Sequence, residues 1–200
     1  FTLFNLRRTL MNKSFIIKLI VFCLVTINVS AIEKVILFGD SLMAGYGLPN
    51  EQHLSVVLQQ SLEFDGHNIE IINGSVSGST SAGGLNIAEW TLSENNIDLM
   101  ILCLGANDML RGINPKETKN NLEEIIKIAK NKNIKVIIAG MIAPTSYGFV
   151  YKKSFDKIFS DLSKKYKLQL IPFLLKGVAQ KPEFNLSDGM HPNDQGTIII

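Results

Sequence analysis

Residues 34–42 have the sequence KVILFGDSL, an apolar run that stops at Gly39 and gives way to polar residues. A short apolar run without polar alternation is typical of a strand that is buried on both faces. Similar runs recur along the chain, at residues 69–72, 99–104, 134–139 and, more weakly, 168–171. Together they predict five strands.

Helical patterns separate the predicted strands. Two apolar stripes have the spacing of an amphipathic helix, and Asn114 before Pro115 predicts an N-cap for the first of them. Residues 53–62 and 85–92 predict further helices. The stripes consist of Leu122, Ile125, Ile126 and Ala129, and of Phe155, Ile158, Phe159 and Leu162. Alternating strands and helices predict an α/β domain with a mainly parallel sheet covered by helices on both faces, a three-layer α/β/α arrangement.

The residues before Ile32 have the pattern of a secretory signal rather than of the folded domain. A basic start at residues 11–13 is followed by a mostly apolar segment at 19–29 and by small residues that end at Ala31. Lys18 interrupts the apolar segment, which is shorter than the roughly 20 residues that span a bilayer. We therefore expect a cleaved signal within residues 1–31, a domain at 32–200, a periplasmic location and no stable membrane anchor after cleavage.

Composition excludes several classes of protein. The chain is 46% hydrophobic and 19% charged with a formal net charge of +2, which is typical of a globular protein and not of one that binds nucleic acid. Cys103 is the only cysteine after residue 31, so no internal disulfide can form there, and we expect a buried thiol. No histidine has metal-ligand spacing, and the glycine-rich nucleotide motifs are missing. We expect a monomer without metal or cofactor.

Polar residues follow three of the predicted strands, at the sheet edge where ligands bind in such folds. Ser41 follows the first strand, Gly78 lies in a Gly/Ser loop after the second, and Asn107 follows the third. Each has an ordinary structural reading, as a helix cap for the serine and as turn residues for the other two. Each also fits chemistry, since a hydroxyl, a closely approaching backbone N–H and a side-chain amide can all face the same crevice.

A fourth polar segment lies near the C-terminus. Asp188 precedes His191 by three residues, with Gly189 between them. The spacing lets the carboxylate accept a hydrogen bond from the imidazole, which leaves the other ring nitrogen free to take a proton from a hydroxyl. A lone surface histidine is the alternative, and His53 and His67 fit that description better.

These segments, in this order, resemble the motif blocks of the SGNH/GDSL hydrolases. The likeness is strongest to the arylesterase and acyl-CoA thioesterase I (lysophospholipase L1) branch, and it runs from about Glu33 to the end of the chain. The matching stretches are residues 38–49 (FGDSLMAGYGLP), 104–112 (LGANDMLRG), 139–144 (AGMIAP) and 188–192 (DGMHP), together with Gly78.

The resemblance implies a flavodoxin-like fold and a serine mechanism. It implies Ser41 as nucleophile, His191 and Asp188 as its partners, and the Ser41 N–H, Gly78 and Asn107 as donors of the oxyanion hole. Asp40 and Asp108 are implied to hold loops.

Two departures from the family pattern stand out. Ser79 replaces the usual aspartate, which can alter the rigidity of its loop. Ile200 falls where the last helix of the family is expected to be starting.

The leading hypothesis is hydrolysis of small acyl esters or thioesters through an acyl-Ser41 intermediate. A carbohydrate acetylesterase would use the same site, and a silent lipid- or glycan-binding protein would keep only the fold. A nucleophile-elbow hydrolase is disfavoured because no G-x-S-x-G sequence occurs.

Overall fold

A computed structural model describes residues 32–200 of the protein. The predicted signal at residues 1–31 lies outside the described residues. Within the described part, no helix is long and apolar enough to cross a membrane.

Five parallel strands form one sheet in the order β2-β1-β3-β4-β5, which confirms the predicted α/β class. The strands are β1 (Lys34–Gly39), β2 (Glu70–Asn73), β3 (Leu99–Cys103), β4 (Lys135–Ala139) and β5 (Gln169–Ile171). The predicted strand at the start of the domain is β1, an interior strand between β2 and β3. Its residues 35–39 are buried, as expected for a strand covered on both faces.

Seven helices accompany the sheet in the described part of the chain. They are α1 (Ser41–Ala44), α2 (Leu54–Phe64), α3 (Ser81–Thr91), α4 (Ala106–Leu110), α5 (Pro115–Asn131), α6 (Phe149–Tyr166) and α7 (Asp194–Ile199). Short 3₁₀ turns occur at Asn50–Gln52, Thr145–Tyr147 and Pro182–Phe184. Packing of α3 on α5 and of α5 on α6 forms one helical layer, whereas α2 packs on β2, α1 and α7.

Both predicted apolar stripes are buried, one on α5 and one on α6. The α5 N-terminus is also as predicted, because the Asn114 side chain accepts a hydrogen bond from the Lys116 N–H at 3.0 Å and Pro115 is the first helical residue. Cys103 is fully buried at the end of β3, and burial raises the pKa of its thiol.

One helix start differs from the sequence prediction. α3 begins at Ser81 rather than near Leu85, because the Thr80 hydroxyl accepts a hydrogen bond from the Gly83 N–H at 3.1 Å and caps the earlier turn. α7 begins at Asp194 and is the last helix of the described residues. Its cap is Asn193, whose side chain accepts a hydrogen bond from the Gly196 N–H at 2.9 Å.

The strand order determines where the loops meet. β1 lies between β2 and β3, and the chain leaves β1 toward β2 before it crosses over to β3. The carboxyl ends of these three adjacent strands lie side by side at such a switch point, where α/β sheets bind ligands. The loops that carry Ser41, Gly78 and Asn107 therefore leave the sheet next to one another, at the carboxyl ends of its strands.

Candidate active site

Ser41 is the first residue of α1, directly after β1. The Asp40 carboxylate caps this helix by accepting a hydrogen bond from the Leu42 N–H at 3.1 Å, and Gly45 ends it with a left-handed backbone (φ +80°). Gly39 is required just before the turn, since a Cβ at that position would lie 2.6 Å from the Cys103 carbonyl oxygen. Close packing of β1 on β3 thus sets the position of Ser41.

His191 contacts Ser41 although 150 positions separate them in the chain. The His191 Nε2 atom lies 2.9 Å from the Ser41 Oγ atom. The His191 Nδ1 atom lies 2.6 Å from an oxygen of Asp188, as the short spacing predicted. The structure therefore brings the three predicted triad side chains together in a hydrogen-bonded line.

Asp188 is held by the backbone as well as by the imidazole. Its second oxygen accepts hydrogen bonds from the Met190 N–H at 2.8 Å and the His191 N–H at 3.0 Å. These N–H groups, with the imidazole, lower the pKa of Asp188 to about 2 against the opposing effect of desolvation. Asp188 is consequently ionised wherever the domain is folded at ordinary pH.

A folded-back loop positions His191. Asn185 and Pro192 form an isolated antiparallel bridge, and the Leu186 N–H donates to the His191 carbonyl at 2.8 Å. The Asn185 side chain is buried and donates to the carbonyls of Val178 and Lys181 at 2.8 and 2.7 Å. The segment that carries His191 is thus bonded to the body of the domain rather than only to Ser41.

Tyr46 is a site residue that sequence reasoning missed. Its ring lies against the His191 imidazole in a tilted contact, with the centroids 4.5 Å apart and the planes at 40°. An aromatic residue between Gly45 and Gly47, just after the helix of the nucleophile, was the only signal in the sequence. His53 holds the loop that follows Tyr46, because its Nε2 atom lies 3.0 Å from the Leu48 carbonyl oxygen. His53 is therefore outside the triad, as the sequence indicated.

Asn107 and Gly78 lie on neighbouring loops that are bonded to each other. Asn107 is on α4, and its side-chain amide donates to the Ser79 carbonyl at 3.1 Å. Gly78 has a left-handed backbone (φ +78°), and its carbonyl accepts a hydrogen bond from Arg111 at 3.1 Å. Sequence reasoning selected the first two residues but gave no role to Arg111.

Asp108 holds loops together, as the resemblance implied. Its carboxylate is fully buried and accepts hydrogen bonds from the Ser81 N–H at 2.7 Å, the Ser81 hydroxyl and the Thr118 hydroxyl at 3.1 Å. The Asn121 amide donates in turn to the Ser81 hydroxyl at 3.0 Å. Asp108 therefore ties the start of α3 to α4 and α5, beneath the Gly78 loop.

Asp40 is a buried acid directly next to the nucleophile. Burial raises the pKa of Asp40 to about 6, while the Leu42 N–H, the nearby His191 imidazole and the Asn107 amide lower it. Within the described residues, the Oδ2 atom of Asp40 has no hydrogen-bond partner. Asp40 thus carries a poorly solvated charge behind Ser41 at neutral pH.

No set of three or more His, Cys, Asp or Glu side chains in residues 32–200 could hold a metal ion. The groups that the structure brings together are a hydroxyl, an imidazole and a carboxylate. That combination can deprotonate the hydroxyl for attack on an electrophilic carbon.

Comparison with known proteins identifies the family of the chain. The model of the GDSL-like lipase/acylhydrolase family matches residues 37–197. An arylesterase of Vibrio mimicus is 36% identical over 180 residues, which is 90% of each chain. Thioesterase 1/protease 1/lysophospholipase L1 of Escherichia coli is 31% identical over 85% of this chain and 80% of its own. Among solved structures, the SGNH-hydrolase family esterase AlinE4 has a TM-score of 0.76 and 38% identity, covering 83% of this chain and 89% of its own.

Proposed function

Because the chain belongs to the GDSL-like lipase/acylhydrolase family, we propose that it hydrolyses acyl esters and thioesters through an acyl-Ser41 intermediate. Its relatives include an arylesterase and a thioesterase, and its class is that of a carboxylic ester hydrolase. The observation that carries the proposal is the line of hydrogen bonds from Ser41 through His191 to Asp188.

Acylation begins with the hydrogen bond between Ser41 and His191. The Nε2 atom takes the hydroxyl proton while Oγ attacks the carbonyl carbon of the substrate, and the carbonyl π electrons move to the oxygen. When the tetrahedral intermediate collapses, the bond to the alcohol oxygen or thiol sulfur breaks. His191 returns its proton to that leaving group, and the acyl group stays on Ser41.

Deacylation repeats the chemistry with water. His191 takes a proton from water, the resulting hydroxide attacks the acyl carbon, and the bond to Ser41 Oγ breaks. The proton on His191 then passes to Oγ, which regenerates the hydroxyl and releases the carboxylic acid. Asp188 accepts from Nδ1–H throughout, which keeps the lone pair of Nε2 toward Ser41 and stabilises the imidazolium.

The Ser41 N–H, the Gly78 N–H and the Asn107 amide form the proposed oxyanion hole. They are placed on the loops after β1, β2 and β3, whose ends are adjacent in the sheet. Donors of this kind stabilise the negative charge that develops on the substrate oxygen, and the loss of one typically costs about 10²–10³ in kcat.

The proposal is tested with a series of p-nitrophenyl esters from acetate to palmitate and with acyl-CoA thioesters. The domain from Ile32 onward is compared with Ser41→Ala and with Ser93→Ala, an exposed serine at the far end of α3. We expect hydrolysis by the wild type and Ser93→Ala and none by Ser41→Ala.

The chain-length profile separates the substrate classes. Preference for acetyl over longer chains would favour a carbohydrate acetylesterase, which is then tested on acetylated sugars. A folded wild type without activity on any ester or thioester would contradict the proposed function and favour a binding protein.

We also propose that residues 1–31 direct export to the periplasm. The support is the order of basic, apolar and small residues in that segment. The full chain, expressed in a Gram-negative host, should give periplasmic protein that begins at Ile32, and deletion of residues 1–31 should leave it in the cytoplasm. Cytoplasmic protein that retains residues 11–31 would contradict export.

We also propose that the mature domain is a monomer, which size-exclusion chromatography should show.

A further inference from the structure

The loop between β2 and α3, residues 74–80, is attached at its base and at its tip to different elements. The Gly74 N–H donates to the Leu37 carbonyl at 2.9 Å, and the Val76 N–H donates to the Gly39 carbonyl at 3.1 Å. These bonds hold the base of the loop against β1. They do not reach Gly78, which carries a proposed oxyanion donor.

The tip of the loop is bonded to α4 through two successive carbonyls. Arg111 donates from its guanidinium to the Gly78 carbonyl at 3.1 Å. Asn107 donates from its amide to the Ser79 carbonyl at 3.1 Å. The two donors are four residues apart, which places them on the same side of α4 and its C-terminal turn.

Gly78 faces open space on the side where a Cβ would lie. Its φ is +78°, a conformation that suits glycine, and a Cβ built at this position would have no atom within 4 Å. A hydrogen-bonded turn encloses Gly78, because the Ser79 N–H donates to the Val76 carbonyl at 3.1 Å. The direction of the Gly78 N–H therefore depends on this turn and on the hydrogen bonds that hold the turn against α4.

We infer that Arg111 is a positioning residue of the oxyanion hole. It holds the peptide unit after Gly78 from outside the turn, while Asn107 holds the next one. Together they fix the Val76–Ser79 turn against α4, and with it the position of the Gly78 N–H. A guanidinium suits this task because it stays charged at every working pH and forms strong hydrogen bonds to carbonyls. The inference rests on the proposed function, since it assigns a role at the same site.

The test measures kcat and KM of Arg111→Ala and Arg111→Lys on one p-nitrophenyl ester. Lys130→Ala is the matched control, because it removes an exposed cation from the far end of α5. We expect kcat to fall roughly 10–100-fold in Arg111→Ala, less than for full loss of a donor, with KM within about threefold. Arg111→Lys should retain part of the lost rate, and Lys130→Ala should match the wild type.

Chemical rescue separates positioning from a general structural effect. Added methylguanidinium should restore kcat in Arg111→Ala by donating to the Gly78 carbonyl, and it should not restore Asn107→Ala. A normal kcat in Arg111→Ala would overturn the inference, and so would a raised KM with unchanged kcat, which would indicate a contact with substrate. Loss of kcat without rescue, accompanied by a lowered melting temperature, would also overturn it.

Failure of the inference is distinguishable from failure of the proposed function. If Ser41→Ala abolishes hydrolysis and Asn107→Ala lowers kcat while Arg111→Ala is normal, only the role of Arg111 is lost. If Ser41→Ala hydrolyses esters normally, the proposed function itself is wrong.

Discussion

At the scale of single residues, the site depends on how each charged group is held. Asp188 illustrates this, because three hydrogen bonds keep it ionised and turn one nitrogen of His191 toward Ser41. Replacing its carboxylate by an amide would preserve size but present a donor to Nδ1 and favour the wrong tautomer. We predict that Asp188→Asn lowers kcat roughly 10³–10⁴-fold at neutral pH.

Steady-state kinetics of Asp188→Asn beside Asp194→Asn, an exposed acid at the start of α7, checks this prediction. The control should keep nearly full activity. A kcat for Asp188→Asn within tenfold of the wild type would mean that another group orients His191.

Tyr46 should act through its ring rather than its hydroxyl. The ring contacts the His191 imidazole at a centroid distance of 4.5 Å, and such aromatic contacts contribute about 0.5–1.5 kcal/mol. We predict that Tyr46→Phe is nearly as active as the wild type and that Tyr46→Ala loses about three- to tenfold in kcat/KM. Equal losses in the two variants, measured on one ester, would indicate a role for the hydroxyl instead.

The triad residues could be predicted from the sequence because their signals are local. Asp188 and His191 are three residues apart, and Ser41 follows a recognisable buried strand. The contacts of Tyr46 with His191 and of Arg111 with Gly78 join separate loops, and no spacing in the sequence encodes them. The oxyanion roles of Gly78 and Asn107 remain predictions, carried by the position of their loops.

At the scale of elements, the predicted strands lie within one or two residues of the observed ones, because each apolar run ends at polar residues or glycine. Helix boundaries were harder to predict where a capping side chain, rather than an apolar stripe, determines the first residue of the helix. Thr80 starts α3 four residues before the predicted position, and two glycines in its first turn obscured the periodicity. The five-residue α4 is too short for a helical pattern to be visible in the sequence.

The N-cap of α5 should contribute to the stability of the domain. Asn114 accepts the Lys116 N–H at 3.0 Å, and Ala at such a position typically costs about 1 kcal/mol. We expect Asn114→Ala to lower the free energy of unfolding by about that amount, measured by urea denaturation, without a change in kcat. Asn120→Ala, at an exposed position inside the same helix, is the control and should have a smaller effect. Equal effects of the two would show that capping contributes nothing.

At the scale of the whole molecule, stability should depend on pH through the buried acid behind Ser41. The native pKa of Asp40 is about 6, raised from 3.8 by burial, so the folded state binds this proton more tightly than the unfolded state does. The resulting stabilisation is complete below about pH 4 and is lost as pH rises through 6, a change on the order of 3 kcal/mol. Asp188 acts in the opposite sense, since its lowered pKa contributes stability that is lost as pH falls from 3.8 toward 2.

We predict that the stability of the wild type relative to Asp40→Asn falls between about pH 4 and pH 7. Urea denaturation at several pH values in that window gives the difference, and Asp65→Asn, which replaces an exposed acid, serves as control. A difference that stays constant or grows with pH would show that Asp40 titrates normally in the folded state.

The most direct test of Ser41 as the nucleophile is labelling by a fluorophosphonate, which reacts with an activated serine and leaves a stable phosphonyl adduct. Peptide mapping by mass spectrometry then locates the adduct. We predict one phosphonyl group per chain, on Ser41, with loss of esterase activity in proportion to labelling and no adduct in Ser41→Ala. An adduct on another serine, such as Ser75 or Ser79 in the neighbouring loop, or full activity after Ser41 is labelled, would contradict it.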